Sequence, residues 1–388
     1  MGSSAEVSCS PKVGQEYVKR QRKIRVVDLF SGAGGFTLAA HNTGCATVFA
    51  IEKDRRAAET FRNRFVKGRR SGTRLYETSI LDAEPAALAK KHFKKNKCDL
   101  VLGGPPCQGF STHRIKDAGV DDPRNNLILR YFEFVAALKP TAFLMENVPG
   151  ILWPRHARYL EEFSREAKAS GYKLFPAVKL NAQDYGVPQR RKRVFFLGVK
   201  EGVAIDQLVW PPAPTHGDEG AGLLPWKSCK TAFDPAPIGD PNDIHMNHGP
   251  ELVAAFRNTP ANGGSRKDSG RVLDCHKEHD GHKDVYGRIN PDLPAPTMTT
   301  ACINPSKGRF VHPVEHHGIT ARQAARIQTF PDDFVFSGGL MAAGMQIGNA
   351  VPVKLGEALI GHLADWICSL ELGEFLGGER DMKAKKND

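Results

Sequence analysis

The run IRVVDLF at residues 24–30, followed at once by SGAGGF, limits the fold more than any other stretch of the chain. β-Branched and apolar residues without alternation read as a strand buried on both faces. Glycines at 32, 34 and 35 then allow a tight turn and the close approach of another group to the backbone. The segment after them reads as a short helix ending near Gly44. The alternation recurs. Residues 46–51 (ATVFAI), 98–104 (CDLVLGG), 141–147 (TAFLMEN), 172–180 and 194–199 read as strands, and 54–65, 125–138 and 156–170 as helices. Such a pattern builds a mostly parallel sheet covered by helices on both faces, an α/β domain.

With 388 residues there is chain for a second, smaller unit. Between 200 and 318 the composition shifts to Pro, Gly, Asn and His, and loop sequences such as WPPAPTHGDEG replace periodic ones. Order returns with helices at 320–328 and 351–370. Five segments are expected: a disordered 1–22, a large domain 23–200, an irregular domain 201–339, a return to the large domain at 340–376, and a flexible tail 377–388.

The chain carries 54 Lys and Arg against 43 Asp and Glu, a formal charge of +11. That balance favours a polyanionic partner. No apolar run is long enough for a membrane span. The N-terminus lacks the apolar core of a secretory signal. Eight cysteines without a CxxC pair fit a reduced, intracellular protein. Cys275, His276, His279 and His282 lack a matching second ligand pair, so that stretch reads as a polar loop and no metal is expected.

Two groups of residues carry chemistry. The glycine turn has the spacing G-x-G-G, not the G-x-G-x-x-G that cradles a pyrophosphate. Glu52 closes the next strand, where a carboxylate can take both ribose hydroxyls. Together they suit an adenosine-type ligand without a pyrophosphate, and S-adenosylmethionine fits. In GGPPCQGFS, residues 103–111, Cys107 stands on a stiff and open loop behind Pro105 and Pro106, which presents a thiol instead of hiding it. Glu146 and Asn147 end the strand TAFLMEN, and a glutamate there is costly without a partner or a task. Arg191 and Arg193, two residues apart, are expected on one side of an entering strand. Thiol, carboxylate and guanidinium thus have places at one rim.

The order DLFSGAGGF, GGPPCQGFS, ENVPG, QRRKR, TARQAARIQTFPDDF and QIGNAVP resembles the DNA (cytosine-5) methyltransferase family, in its compact bacterial type. The resemblance runs from residue 28 to about 359. It implies a Rossmann-like S-adenosylmethionine-dependent methyltransferase domain whose last strand is antiparallel, with 201–339 as a smaller target-recognition domain. It makes Cys107 the nucleophile on C6 of a flipped-out cytosine and Glu146 the group holding N3 and the exocyclic amine. Asn147 supports the loop, and Arg191 and Arg193 brace it and contact the base or its phosphate. Phe30, Gly32, Gly34, Gly35, Glu52, Ile80, Pro105, Asn126, Leu127, Asn349 and Val351 fall on the cofactor side. The chain departs from the family at Lys53, where a bulky apolar residue is usual, and at Thr78–Ser79, where Gly-Asp is usual. Ser79 and Asp82 are the candidates for that adenine contact.

The implied partner is double-stranded DNA, with room for a companion restriction endonuclease acting on the same site. The implied product of the cofactor is S-adenosylhomocysteine. The protein is expected to act as a monomer in the cytoplasm, nucleoid-associated through DNA. An RNA cytosine-5 methyltransferase is the nearest alternative, but the Cys-Phe-Thr element of that branch is absent. An inactive DNA-binding paralogue is the other, and intact Cys107, Glu146 and Arg191 argue against it. Arg257, Arg266, Lys267, Arg271 and Arg288 in the irregular domain are suited to phosphates and guanine edges.

Overall fold

Strand β1 (Arg25–Leu29) has parallel neighbours on both sides, and Val26–Leu29 are buried. The computed structural model describes residues 22–67, 72–94, 97–106, 126–218, 220–270 and 285–384, with backbone alone at 126 and 373–384. Cys107 and the rest of its loop, Arg271, the 274–282 stretch, residues 1–21 and residues 385–388 lie outside the described residues.

The elements follow as α1 (Gly35–Asn42), β2 (Ala46–Glu52), α2 (Arg55–Phe61), a π-helical turn (Arg62–Val66), β3 (Arg74–Glu77), α3 (Pro85–His92), β4 (Leu100–Gly103), α4 (Asn126–Leu138) and β5 (Ala142–Asn147). Next come α5 (Ala157–Ala169), β6 (Tyr172–Leu174), β7 (Val178–Asn181) and β8 (Lys192–Lys200). The sheet order is β3-β2-β1-β4-β5-β8-β6, with β7 also on β8. Strands β1–β5 are parallel, and β8 is antiparallel to β5, as the resemblance implies. The order reverses between β1 and β4, and in open α/β sheets ligands bind outside the strand ends at that reversal. The glycine turn leaves β1 there, and the chain to Cys107 leaves β4 there.

Alternate residues of the central strands feed two cores. Val26, Leu102, Leu144 and Leu197 face one, Val27, Val101, Phe143 and Phe196 the other. The second core is closed by α4 and α5 through Tyr131, Phe134 and Phe163. The first is closed by α1, by α7 (Ala321–Ile327), α8 (Gly339–Asn349) and α9 (Val353–Ala384). Buried residues of the irregular stretch, among them Leu208, Cys229, Ile289, Met298 and Phe310, join this same core.

Elements beyond the sequence reading include β3, α3, α6 (Pro250–Asn258) and α8. Strand β3 is short, with exposed Arg74 and Glu77 at its ends, and α8 contains Gly339, Gly344 and Gly348, which depress helix propensity. The strand expected over 172–180 is broken into β6 and β7 at Pro176, which has no N–H to give a ladder. The helix expected to end at 370 continues to Ala384. The strong helix formers of ERDMKA outweigh the two glycines before them. Among the described residues, no helix is long and apolar enough to cross a membrane.

Candidate active site

The glycine turn is built by backbone geometry. Phe30 has φ 59°, Gly32 54° and Gly34 100°, all in the left-handed region. A side chain at Gly34 would also meet the Phe65 ring at 2.3 Å. Among the described residues, nothing lies within 4 Å of a Cβ placed at Gly32. Its N–H donates to Glu52 Oε2 at 2.8 Å, while Glu52 Oε1 accepts from the N–H of Asp54 at 2.7 Å. The carboxylate is therefore fixed beside the turn, and burial raises its pKa against the pull of those N–H groups.

Gly35 packs directly on the returning C-terminal chain, since a Cβ there would meet Val351 O at 2.8 Å. Val351 is buried and Asn349 exposed at the end of α8. Ile80 and Leu127 are buried in one apolar cluster. The turn after Ile80 is gripped by Arg130, whose Nε donates to Ile80 O at 3.0 Å and Nη2 to Ala83 O at 2.6 Å. Ser79 Oγ accepts from the N–H of Leu81 at 3.2 Å, and Asp82 is exposed.

At the ends of β4 and β5 lies a second set. Gly103 has no room for a side chain, which would strike Tyr131 at 2.5 Å. Pro105 is buried, and its carbonyl accepts from Asn147 Nδ2 at 3.4 Å. Asn147 Oδ1 accepts from the N–H of Val148 at 2.8 Å, so this side chain joins the two strand ends. The Glu146 carboxylate lies over Gly104, where a Cβ would come within 3.2 Å of Oε2. Its other oxygen is 2.8 Å from Arg193 Nε, and both side chains are nearly buried. Burial pushes the Glu146 carboxyl above the usual range, opposed by the charges of Arg193 and Arg191 and by the bond from Arg193.

The two arginines do not share a role. Arg191 lies before β8 and is fully buried, and its terminal nitrogens donate to the carbonyls of Met298, Gly348 and Ala350. The expectation of two guanidiniums at one rim therefore holds for Arg193 alone. Arg288 also departs from expectation. It is 1% exposed and donates to the carbonyls of Phe256, Thr259, His312 and Glu315 and to His316 Nδ1, so it braces its own segment and is not open to a phosphate. Arg266 is buried too, while Arg257 and Lys267 are exposed.

One acid was missed. Asp28 is buried on β1, with Oδ2 accepting from Thr37 Oγ1 at 2.7 Å and, among the described residues, no partner for Oδ1. Burial raises its pKa to about 7. Like Glu146, Asp28 is an acid in an apolar strand, and that sequence signal marks it.

A family model for C-5 cytosine-specific DNA methylases matches residues 24–365. The Type II methyltransferase M1.HphI of Haemophilus parahaemolyticus is 32% identical over 341 residues, covering 86% of this chain and 84% of that protein. M.NgoFVII of Neisseria gonorrhoeae, also a Type II methyltransferase, is 31% identical over 370 residues, covering 93% and 92%. Among solved structures, an E. coli prophage protein described as a candidate DNA modification methyltransferase superposes with a TM-score of 0.67 at 24% identity, covering 88% of this chain and 99% of that one. That likeness carries the fold. The match across the whole sheet and the C-terminal return makes the conclusion direct: the chain belongs to the C-5 cytosine-specific DNA methylase family and is a DNA cytosine-5 methyltransferase.

Proposed function

We propose that this protein transfers a methyl group from S-adenosylmethionine to C5 of a flipped-out cytosine in double-stranded DNA, through a covalent bond between Cys107 and C6. The observation that carries this reading is the buried Glu146 carboxyl, held by Arg193 over the backbone of Gly104, three residues before Cys107.

C5 of cytosine is a weak nucleophile. Addition of the Cys107 thiolate at C6 makes the ring enamine-like, which splits one hard step into easier ones. After the methyl group is on C5, a base takes the C5 proton, and the electron pair released expels the Cys107 thiolate from C6. Glu146, with its raised pKa, suits a donor to N3 as negative charge builds on the ring. Arg193 keeps that carboxyl in place and favours a thiolate nearby. Asn147 ties the strand end to Pro105 and so fixes the start of the nucleophile's loop. A base inside a duplex cannot reach these groups, so it must leave the stack.

The residues present fit the cofactor. The space over Gly32, which no described residue fills, lies next to the fixed Glu52 carboxylate, whose remaining lone pairs suit ribose hydroxyls. Phe30, Gly34, Ile80, Pro105 and Leu127 would line the rest, and Asn349 and Val351 would close it from the C-terminal side. When bound, S-adenosylmethionine supplies an electrophilic methyl group and leaves as S-adenosylhomocysteine. Residues 201–339 would read the bases around the target, with exposed Arg257 and Lys267 facing phosphates. The relatives' Type II designation favours a defined DNA site and a companion endonuclease.

Expression in cells lacking cytosine methylation, followed by genome-wide sequencing for 5-methylcytosine, tests the reading. Methylation should appear at one short sequence and vanish with Cys107→Ala. Methylation confined to RNA would overturn it.

A further inference from the structure

Two distant chain segments converge on one buried cation. Arg191 Nη1 donates to Met298 O at 2.6 Å, and Nη2 to Gly348 O at 2.7 Å and Ala350 O at 3.1 Å. Among the described residues its buried Nε has no partner. Among the described residues no carboxylate is hydrogen-bonded to it, although Glu146 and Arg193 lie within electrostatic reach. A chain of amides runs alongside. Gln189 Oε1 accepts from the N–H of Met298 at 2.8 Å, Gln189 Nε2 donates to Gln328 Oε1 at 2.8 Å, and Gln328 Nε2 donates to Ile347 O at 2.6 Å and Ala350 O at 3.1 Å. Both glutamines are fully buried. Contacts at both ends are tight. A Cβ at Gly348 would lie 2.1 Å from Thr299 O, and one at Gly35 would lie 2.8 Å from Val351 O.

We propose that Arg191 is a positioning residue for the cofactor pocket, and that with Gln189 and Gln328 it joins that pocket to the one holding the target base. Its guanidinium fixes the backbone on both sides of Asn349, the segment that leans on the glycine turn. Its own main chain leads through Lys192 to Arg193, the partner of Glu146. Displacing 348–351 therefore displaces the start of β8, and the reverse. The planar fork can serve two separated chain segments at once, which a lysine ammonium cannot do with the same geometry. Leaving those buried carbonyls unpaired has a real cost. Coupling of this kind is reciprocal between the two sites. The inference rests on the assignment of the cofactor and base pockets made above.

The test compares wild type, Arg191→Lys, Arg193→Lys and Gln328→Met. Calorimetry measures S-adenosylhomocysteine binding without DNA. Denaturing gels measure covalent trapping on duplex DNA carrying 5-fluorocytosine at every cytosine, so the recognised sequence need not be known. Steady-state kinetics on unmodified plasmid DNA separates KM for S-adenosylmethionine from kcat. Arg191→Lys should weaken binary S-adenosylhomocysteine binding at least about tenfold, raise KM, and lower trapping and kcat as well. Arg193→Lys should leave that binding within about twofold and act on trapping and kcat. Gln328→Met keeps the charge at 191 and should repeat the Arg191→Lys pattern more weakly, which serves if the first variant does not fold. Normal binary binding in Arg191→Lys, or in Gln328→Met if only that variant folds, with the loss confined to DNA trapping, would overturn the proposal. A wild type that traps DNA but binds no S-adenosylhomocysteine would remove the cofactor assignment and the proposal with it, while leaving the Cys107 chemistry standing.

Discussion

Arg193 Nε stands 2.8 Å from Glu146 Oε1, across the antiparallel pair of β5 and β8. The antiparallel strand thus brings a guanidinium to the carboxyl end of the parallel ones. A buried pair of this kind is costly to break from one side. Arg193→Met should leave Glu146 without its main opposing charge, so the carboxyl's pKa should rise further above the ordinary range. The limb of the pH–rate profile that reports Glu146 should move to higher pH, and kcat should fall by about 10²-fold or more. An unmoved limb would place the titrating group elsewhere.

Asp28 gives a pH dependence of stability. Its folded pKa is raised to about 7 from an ordinary 3.8, chiefly by burial. Between those values the folded state holds a proton that the unfolded state releases. Stability should therefore fall as pH rises through this window, by up to about 4 kcal/mol. Asp28→Asn removes the dependence. Urea unfolding at pH 5 and pH 8 should show the variant gaining on the wild type at the higher pH, and equal differences at both would show that Asp28 is not carrying a buried proton.

Glu52 is tied by both oxygens to backbone N–H groups around the glycine turn. Glu52→Ala removes that tie together with the proposed ribose contact. Affinity for S-adenosylhomocysteine should drop by ~1.5–3 kcal/mol, read by calorimetry without DNA. Unchanged affinity would put the ribose elsewhere.

The sheet was legible because its central strands are uninterrupted apolar runs, and β1, β4 and β5 fall where those runs stand. The edge was less so. Strand β3 has charged ends and a half-buried middle, and no run marks it. At the site, Glu146 and Asn147 could be read from position, because polar groups at the end of a buried strand need partners. Arg191 and Arg193 could not be told apart by spacing, because their partners are set by tertiary contacts. Arg193 meets Glu146 within the sheet, whereas Arg191 meets carbonyls 107 and 157 positions away. Arg288 was misread for the same reason: its acceptors are carbonyls up to 32 residues away, and main-chain acceptors leave no mark in a sequence.

In the proposed reaction Cys107 attacks the target base while Glu146 and Arg193 activate it. Covalent trapping on 5-fluorocytosine duplex DNA in the presence of S-adenosylmethionine decides this. Fluorine at C5 cannot leave as a proton does, so the enzyme should remain bonded to the DNA. The wild type should give a denaturant-resistant band and Cys107→Ala none, with DNA and S-adenosylhomocysteine binding largely retained in the variant. A band of equal intensity from Cys107→Ala would contradict the account.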